Sequence, residues 1–252
     1  MNTFTVDGRR IAYTDFGGPG RPLLAIHGHL GEGAMWAPLA EALAPEWRVI
    51  AVDQRGHGDS DRAESYRPVD YAADAAALLE HLGMGPLPVV GHSGGALTAI
   101  HLAALHPGRV SALVVGEIPV VLDKPGALDF VRAMPYTAEN REALLAALGP
   151  AAPYVGTRIR SLPDGTARLP FHPDDTIASE LAGIGDHWDT WTASACPALV
   201  LRGDEGGLVG EDMATEMAAR RPGTRLVALK ADHFLLEKDP EGFASAVRDF
   251  LR

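Results

Sequence analysis

Cysteine is nearly absent from the 252-residue chain, which has only Cys196. An intrachain disulfide is therefore excluded, and the cysteine content implies no oxidising compartment. Standing before Pro197 at the head of an apolar run, Cys196 reads as an inert core residue. Positive charge is also short: 22 Lys and Arg face 33 Asp and Glu, a formal net charge of −11. Phosphate binding needs a basic face, so this balance argues against nucleic acid as a main partner. No apolar stretch reaches the roughly 18 residues of a membrane span, so no membrane partner is expected. The N-terminal stretch MNTFTVDGRRIAYTDFG lacks the charged start and apolar segment of a signal peptide, and a cytoplasmic location is expected. Internal repeats and low-complexity tracts are missing as well. What remains is ordinary globular material, 46% hydrophobic and 22% charged, long enough for one large α/β domain or two small ones.

Short runs of Val, Leu and Ile recur at residues 23–26, 49–52, 87–90, 113–115, 199–201 and 226–229. Runs this short and this apolar suit strands buried on both faces, hence a mainly parallel sheet covered by helices. The N-terminal residues alternate like two strands around a turn at Asp7-Gly8. Between the apolar runs, residues 35–43, 71–82, 96–105 and 211–220 have helical character. A last helix begins after Pro240 and carries Phe243, Val247, Phe250 and Leu251 on one face.

The strand–helix alternation breaks once. Between Glu117 and about Trp191 no buried strand is legible, and Pro150, Pro153, Pro170 and Pro173 divide the segment into short pieces. A structureless loop of that length inside a compact domain runs against experience. The expectation is a helical cap over residues 118–191 inserted into a core of residues 1–117 and 192–252. Trp188 and Trp191 would pack the cap onto the sheet. Phe130, Met134, Tyr136 and Phe171 are read chiefly as packing, with a pocket wall as the alternative.

Chemistry concentrates where the run at 87–90 enters Gly91-His92-Ser93-Gly94-Gly95 and then a helix. This G-x-S-x-G sits in a strand–turn–helix context. A turn sharp enough to lift a serine hydroxyl above a sheet leaves no room for side chains two residues to either side, and it strains the serine backbone. The helix N-terminus brings the Gly94 N–H near any oxyanion formed at Ser93. A glycine-rich turn with a solvated serine would give the same pentapeptide, so further signals are needed. The run at 23–26 ends in His27-Gly28-His29, where a backbone N–H can supply a second oxyanion donor. Asp53-Gln54-Arg55-Gly56-His57-Gly58-Asp59-Ser60 follows the next strand, and Ala231-Asp232-His233-Phe234 follows the last, ahead of Glu237 and Pro240.

With these stretches in order, nearly the whole chain resembles the α/β-hydrolase family. His27-Gly28-His29 matches its HG-x motif, residues 53–60 its D-x-R-G-x-G-x-S, residues 91–95 its nucleophile elbow, and Asp232-His233 with Glu237 and Pro240 its C-terminal histidine motif. Asp232 departs from the usual glycine. The resemblance implies a mostly parallel eight-stranded sheet flanked by helices with an inserted helical cap. It makes Ser93 the nucleophile, His233 the general base and acid, and the N–H groups of His29 and Gly94 the oxyanion hole. No cofactor is implied. His27 and His29 also read as a metal pair, but no third ligand stands nearby in a matching pattern, so no metal is expected. His92 is the unconstrained residue of the elbow, His57 bonds within its turn, Arg55 anchors loops through a buried ion pair, and His101 and His106 belong to a helix surface or cap.

A triad histidine needs a carboxylate on its other nitrogen. Family members commonly carry it after the strand matched by 199–201, about three residues beyond the glycine, where this chain has Gly206 and Gly207. Other members hold it at the end of the preceding strand, where this chain has Glu117. A carboxylate at the end of a buried strand is costly unless paired. Glu117 is therefore favoured as the acid, with Asp204 or Glu205 as alternatives and a site without an acid as the third. The reading that follows is a serine hydrolase acting on a small carboxylic ester, lactone or thioester through an acyl-enzyme. The alternatives are an amide or C–C bond hydrolase, a perhydrolase, or a hydrolase-fold binding or biosynthetic protein with little hydrolysis. A small-molecule substrate is the expected partner; oligomeric state is not legible.

Overall fold

The alternating N-terminal residues form a hairpin, in which β1 (Asn2–Val6) pairs antiparallel with β2 (Arg9–Asp15). Asp7 and Gly8 turn it with φ of 49° and 77°, the left-handed pair that matches the twist of the flanking strands. The computed structural model describes residues 1–252, the side chain of Tyr154 excepted. The hairpin starts an eight-stranded sheet that continues through β3 (Arg21–Ile26), β4 (Trp47–Val52), β5 (Leu87–His92), β6 (Val110–Gly116), β7 (Ala198–Gly203) and β8 (Thr224–Leu229). The strand order is β1-β2-β4-β3-β5-β6-β7-β8. β2 joins β4 antiparallel, and every pairing from β4 to β8 is parallel. The mostly parallel sheet flanked by helices is the architecture expected from the sequence.

Period-two alternation sends the strand side chains into two separate cores. On one face Ile26, Val52, Val89, Val115 and Val200 meet α2 (Pro68–His81) and α3 (Gly94–Leu105). On the other, Ala25, Val49, Val90, Val114 and Leu201 meet Trp36, α1 (Ala37–Leu43) and the helix at Pro240–Leu251, through Phe243 and Val247. The inner strands are thus apolar along their length. β8 is an edge strand, and Leu226 is exposed there, so the run at 226–229 is not buried on both faces.

Residues 118–191 leave the sheet and return to it with secondary structure of mixed kind rather than purely helical. They hold short helices, including Arg141–Ala147, and α4 (Pro173–Gly183). A three-stranded ribbon joins Thr137–Ala138, Ala167–Arg168 and Arg160–Ser161, and a two-stranded one pairs Val121–Leu122 with Gly185–Asp186. Strands of two residues leave too little periodicity to be read from sequence. The segment has its own apolar cluster, in which Val131, Met134, Leu144, Leu169, Phe171 and Ile177 are buried. Ion pairs fasten it to the loops below: Arg160 with Glu32 and Asp59, Arg168 with Asp59, and Arg62 with Asp175. Trp191 is fully buried in the main core and donates its indole N–H to the Met217 carbonyl, while Arg220 lies over the ring of Trp188. Among the described residues no helix is long and apolar enough to cross a membrane.

Candidate active site

Ser93 stands between β5 and α3 with φ 52° and ψ −127°, a conformation that non-glycine residues avoid. The turn closes so tightly that a methyl group at Gly91 would lie 2.4 Å from the Gly95 carbonyl oxygen, and one at Gly95 2.2 Å from that of Ile26. Both glycines are therefore obligatory. The Ser93 N–H donates to Gly116 O at 2.7 Å, tying the turn to the end of β6. Among the described residues neither the His29 N–H nor the Gly94 N–H has a protein acceptor, and both residues border the cavity that holds Ser93.

Glu117 follows directly on β6, fully buried, with φ 51°. Its Oε1 accepts from the Gly203 N–H and its Oε2 from the Leu208 N–H, each at 2.7 Å. Burial pushes its carboxyl up, but the contact with His233 and these two amides outweigh burial and hold it below the usual carboxylate value. Oε2 lies 3.5 Å from Nδ1 of His233, an ion-pair distance that is long for a hydrogen bond. That Nδ1 is buried and has no nearer partner. Asp204 and Glu205 are exposed, and only their backbone N–H groups are engaged, by Leu229 O and Ala231 O. The structure therefore brings Glu117, and neither of the two loop acids, to His233.

The other histidines sort by contact. His27 is buried and holds Gln54, whose N–H donates to its Nε2 at 3.0 Å; Gln54 also accepts from the Thr98 hydroxyl at 2.8 Å. His57 pairs through Nδ1 with Arg55 O at 3.1 Å, and Arg55 makes a buried ion pair with Asp74 at 2.7 Å. Both contacts are those expected. His92 is not unconstrained: its Nε2 donates to the backbone carbonyl of His233 at 2.7 Å and fixes the loop carrying that residue. Burial, then the neighbouring His233, pushes its pKa down to about 4. His101 is buried against His187, at 3.4 Å, rather than on the helix surface. Neither contact has a sequence signal, because each joins residues far apart in the chain. Asp232 accepts the Phe234 N–H at 2.9 Å, a local turn that accounts for its tolerance at a glycine position. Cys196 is half-buried, with Arg221 bonding its carbonyl and reaching its sulfur. Among the described residues no group of three or more His, Cys, Asp or Glu side chains is arranged to hold a metal ion.

A cavity of about 860 Å³ opens beside Ser93 and His233. Its walls come from the sheet side through Leu97 and Leu208, and from the inserted segment through Ile118, Val121, Leu128 and Phe130. Met134 and Phe171 belong to the inserted segment's own core. Lys124 is the only Lys or Arg among the described lining residues, and Asp123 and Glu180 bring carboxylates. Glu180 is occupied with the N–H groups of Gly126 and Leu128.

An elbow serine directly after strand β5, a histidine after the last strand and a carboxylate after β6 belong to one fold class. Residues 21–240 match the family model of the alpha/beta hydrolase fold, and the chain belongs to that family. It is 31% identical to 2-(acetamidomethylene)succinate hydrolase from Mesorhizobium japonicum over 249 residues, spanning 93% of this chain and 89% of that protein. The crystal structure of E-2-(acetamidomethylene)succinate hydrolase superposes with a TM-score of 0.82 at 26% identity, covering 99% of this chain and 98% of that one. Lipase LipV from Mycobacterium tuberculosis is 43% identical over 117 residues, which are 46% of this chain and 44% of the lipase.

Proposed function

We propose that the protein is a serine hydrolase that cleaves a small carboxylic ester, lactone or thioester through an acyl-enzyme. The observation that carries this reading is the strained Ser93, sharing one cavity with a His233 whose Nδ1 faces the buried Glu117. His233 removes the Ser93 proton as Oγ attacks the substrate carbonyl, and the Glu117 carboxylate stabilises the resulting imidazolium. The N–H groups of His29 and Gly94 receive the oxyanion. His233 then passes its proton to the leaving group, and water, activated by the same imidazole, releases the acid. Residues 118–191 act as a lid that sets which groups fit.

The walls favour a medium-sized substrate that is largely uncharged. An amide is the second reading, supported by the 31% identity to a hydrolase whose named substrate carries an acetamide. That substrate also carries two carboxylates, and among the described residues lining this cavity Lys124 is the one Lys or Arg, against Asp123 and Glu180. A dicarboxylate therefore fits this cavity less well than a neutral ester. The test is turnover across a chain-length series with matched amides. Short p-nitrophenyl esters, small lactones or small thioesters should be hydrolysed, with activity falling steeply toward long-chain triglycerides. Efficient cleavage of emulsified lipid or of folded protein would contradict an enclosed site, and amides outpacing esters would select the second reading.

A further inference from the structure

The imidazole of His29 sits inside a relay that crosses from the core to the lid. The Tyr71 hydroxyl, on α2, donates to Oγ of Ser179 at 3.1 Å, and Oγ of Ser179, on α4, lies 2.9 Å from Nε2 of His29. Tyr71 and Ser179 are both buried. With the Tyr71 hydrogen directed at Ser179, the Ser179 hydrogen is free to be donated to His29 Nε2. Burial, assisted by His57 and His233, pushes the His29 pKa down to about 3, so the ring is neutral at ordinary pH. A neutral imidazole that accepts at Nε2 carries its proton on Nδ1.

That Nδ1 has no protein partner among the described residues, and it is not one of the buried polar atoms left unpaired. His29 lines the cavity. The ring lies against Gly94: a methyl group there would be 3.0 Å from Cε1 and 3.1 Å from Nδ1. The ring therefore packs over Gly94 at the start of α3, and His29 lines the cavity that Ser93 borders.

We propose that the His29 side chain is a specificity donor, whose Nδ1–H bonds an acceptor oxygen of the substrate close to the scissile carbonyl. Ser179 and Tyr71 are positioning residues that hold the donating tautomer. The substrate class is accordingly an ester, lactone or thioester bearing a second acceptor, such as a 3-oxo or ether oxygen, on an otherwise apolar frame. A site built around such a donor discriminates against analogues that lack the oxygen, because the donor is then left unpaired. The substrate part of this inference rests on the serine-hydrolase reading; the tautomer part does not.

The test uses 3-oxobutanoate and butanoate esters of one alcohol, with the preference for the oxo ester compared between variants. His29→Asn places an amide nitrogen near the Nδ1 position and should keep the wild-type preference. His29→Gln places it near Nε2 and should lose roughly tenfold to a hundredfold of that preference. Nitrogen-15 spectra of histidine-labelled protein should give the Nδ1–H tautomer for His29, shifting toward Nε2–H in Ser179→Ala, a change that a purely structural role would not produce. An Nε2–H tautomer in the wild type, or equal preference in the Asn and Gln variants, would overturn the inference. If wild-type protein neither turns over either ester nor reacts with a small phosphonate at Ser93, the hydrolase reading has failed and the substrate part of the inference falls with it, while the spectrum still decides the tautomer of His29.

Discussion

A methyl group added at Gly207 would lie 2.2 Å from Oε2 of Glu117. At Gly207, in the loop after β7, the Glu117 carboxylate occupies the space a side chain would need. Gly207→Ala should therefore displace Glu117 from His233 and lower kcat by at least tenfold, with stability little changed beyond the cost of the crowding, on the order of 1–3 kcal/mol. Gly210→Ala, where nothing lies within 4 Å, is the control and should match wild type. Equal activity in the two variants, measured on one short ester, would show that Glu117 tolerates the intrusion and has no exact placement to lose.

Replacing the carboxylate itself is the sharper test of its role. Glu117→Gln keeps the volume but removes the charge facing His233, so kcat should fall by roughly 10²–10⁴. Asp204→Asn and Glu205→Gln alter exposed side chains and should stay within about tenfold of wild type. The reverse ranking would return the acid to the loop after β7.

The parts legible in the sequence were those with local causes. Buried strands announce themselves as short apolar runs, and the elbow does so through Gly91 and Gly95, whose absent side chains are a steric necessity. Glu117 was readable because a carboxylate ending a buried strand needs a partner. The inserted segment of residues 118–191 is legible as an interruption only. Its two-residue strands and its anchoring pairs, such as Arg160 with Glu32, join positions too distant in sequence to leave a pattern. The same holds for His92 with the His233 carbonyl, for His101 with His187, and for the relay from Tyr71 to His29.

Burial lowers the pKa of several histidines and so couples folding to pH. His92 and His101 are pushed down to about 4 and His29 to about 3, in each case chiefly by burial, from an ordinary value of 6.5. His27 and His57 are lowered in the same way. Between pH 6.5 and about 4 the unfolded chain binds protons at these sites that the folded one refuses, so stability falls as pH falls through this window. Asp53 works the other way: burial raises its carboxyl to about 6, which favours the fold on acidification, but it is one group against several. The thermal midpoint should therefore drop between pH 7.5 and pH 5. A flat or rising midpoint, followed by circular dichroism, would contradict a net destabilisation from these imidazoles.

A fluorophosphonate probe tests most directly whether Ser93 is a nucleophile activated within its cavity. Wild-type protein should gain the mass of a single adduct, located by peptide mapping on Ser93. Ser93→Ala should take up no probe and lose on the order of 10⁴-fold of its ester turnover while keeping its melting temperature. No adduct on the wild type, an adduct on another residue, or a Ser93→Ala variant retaining half the activity would contradict that role.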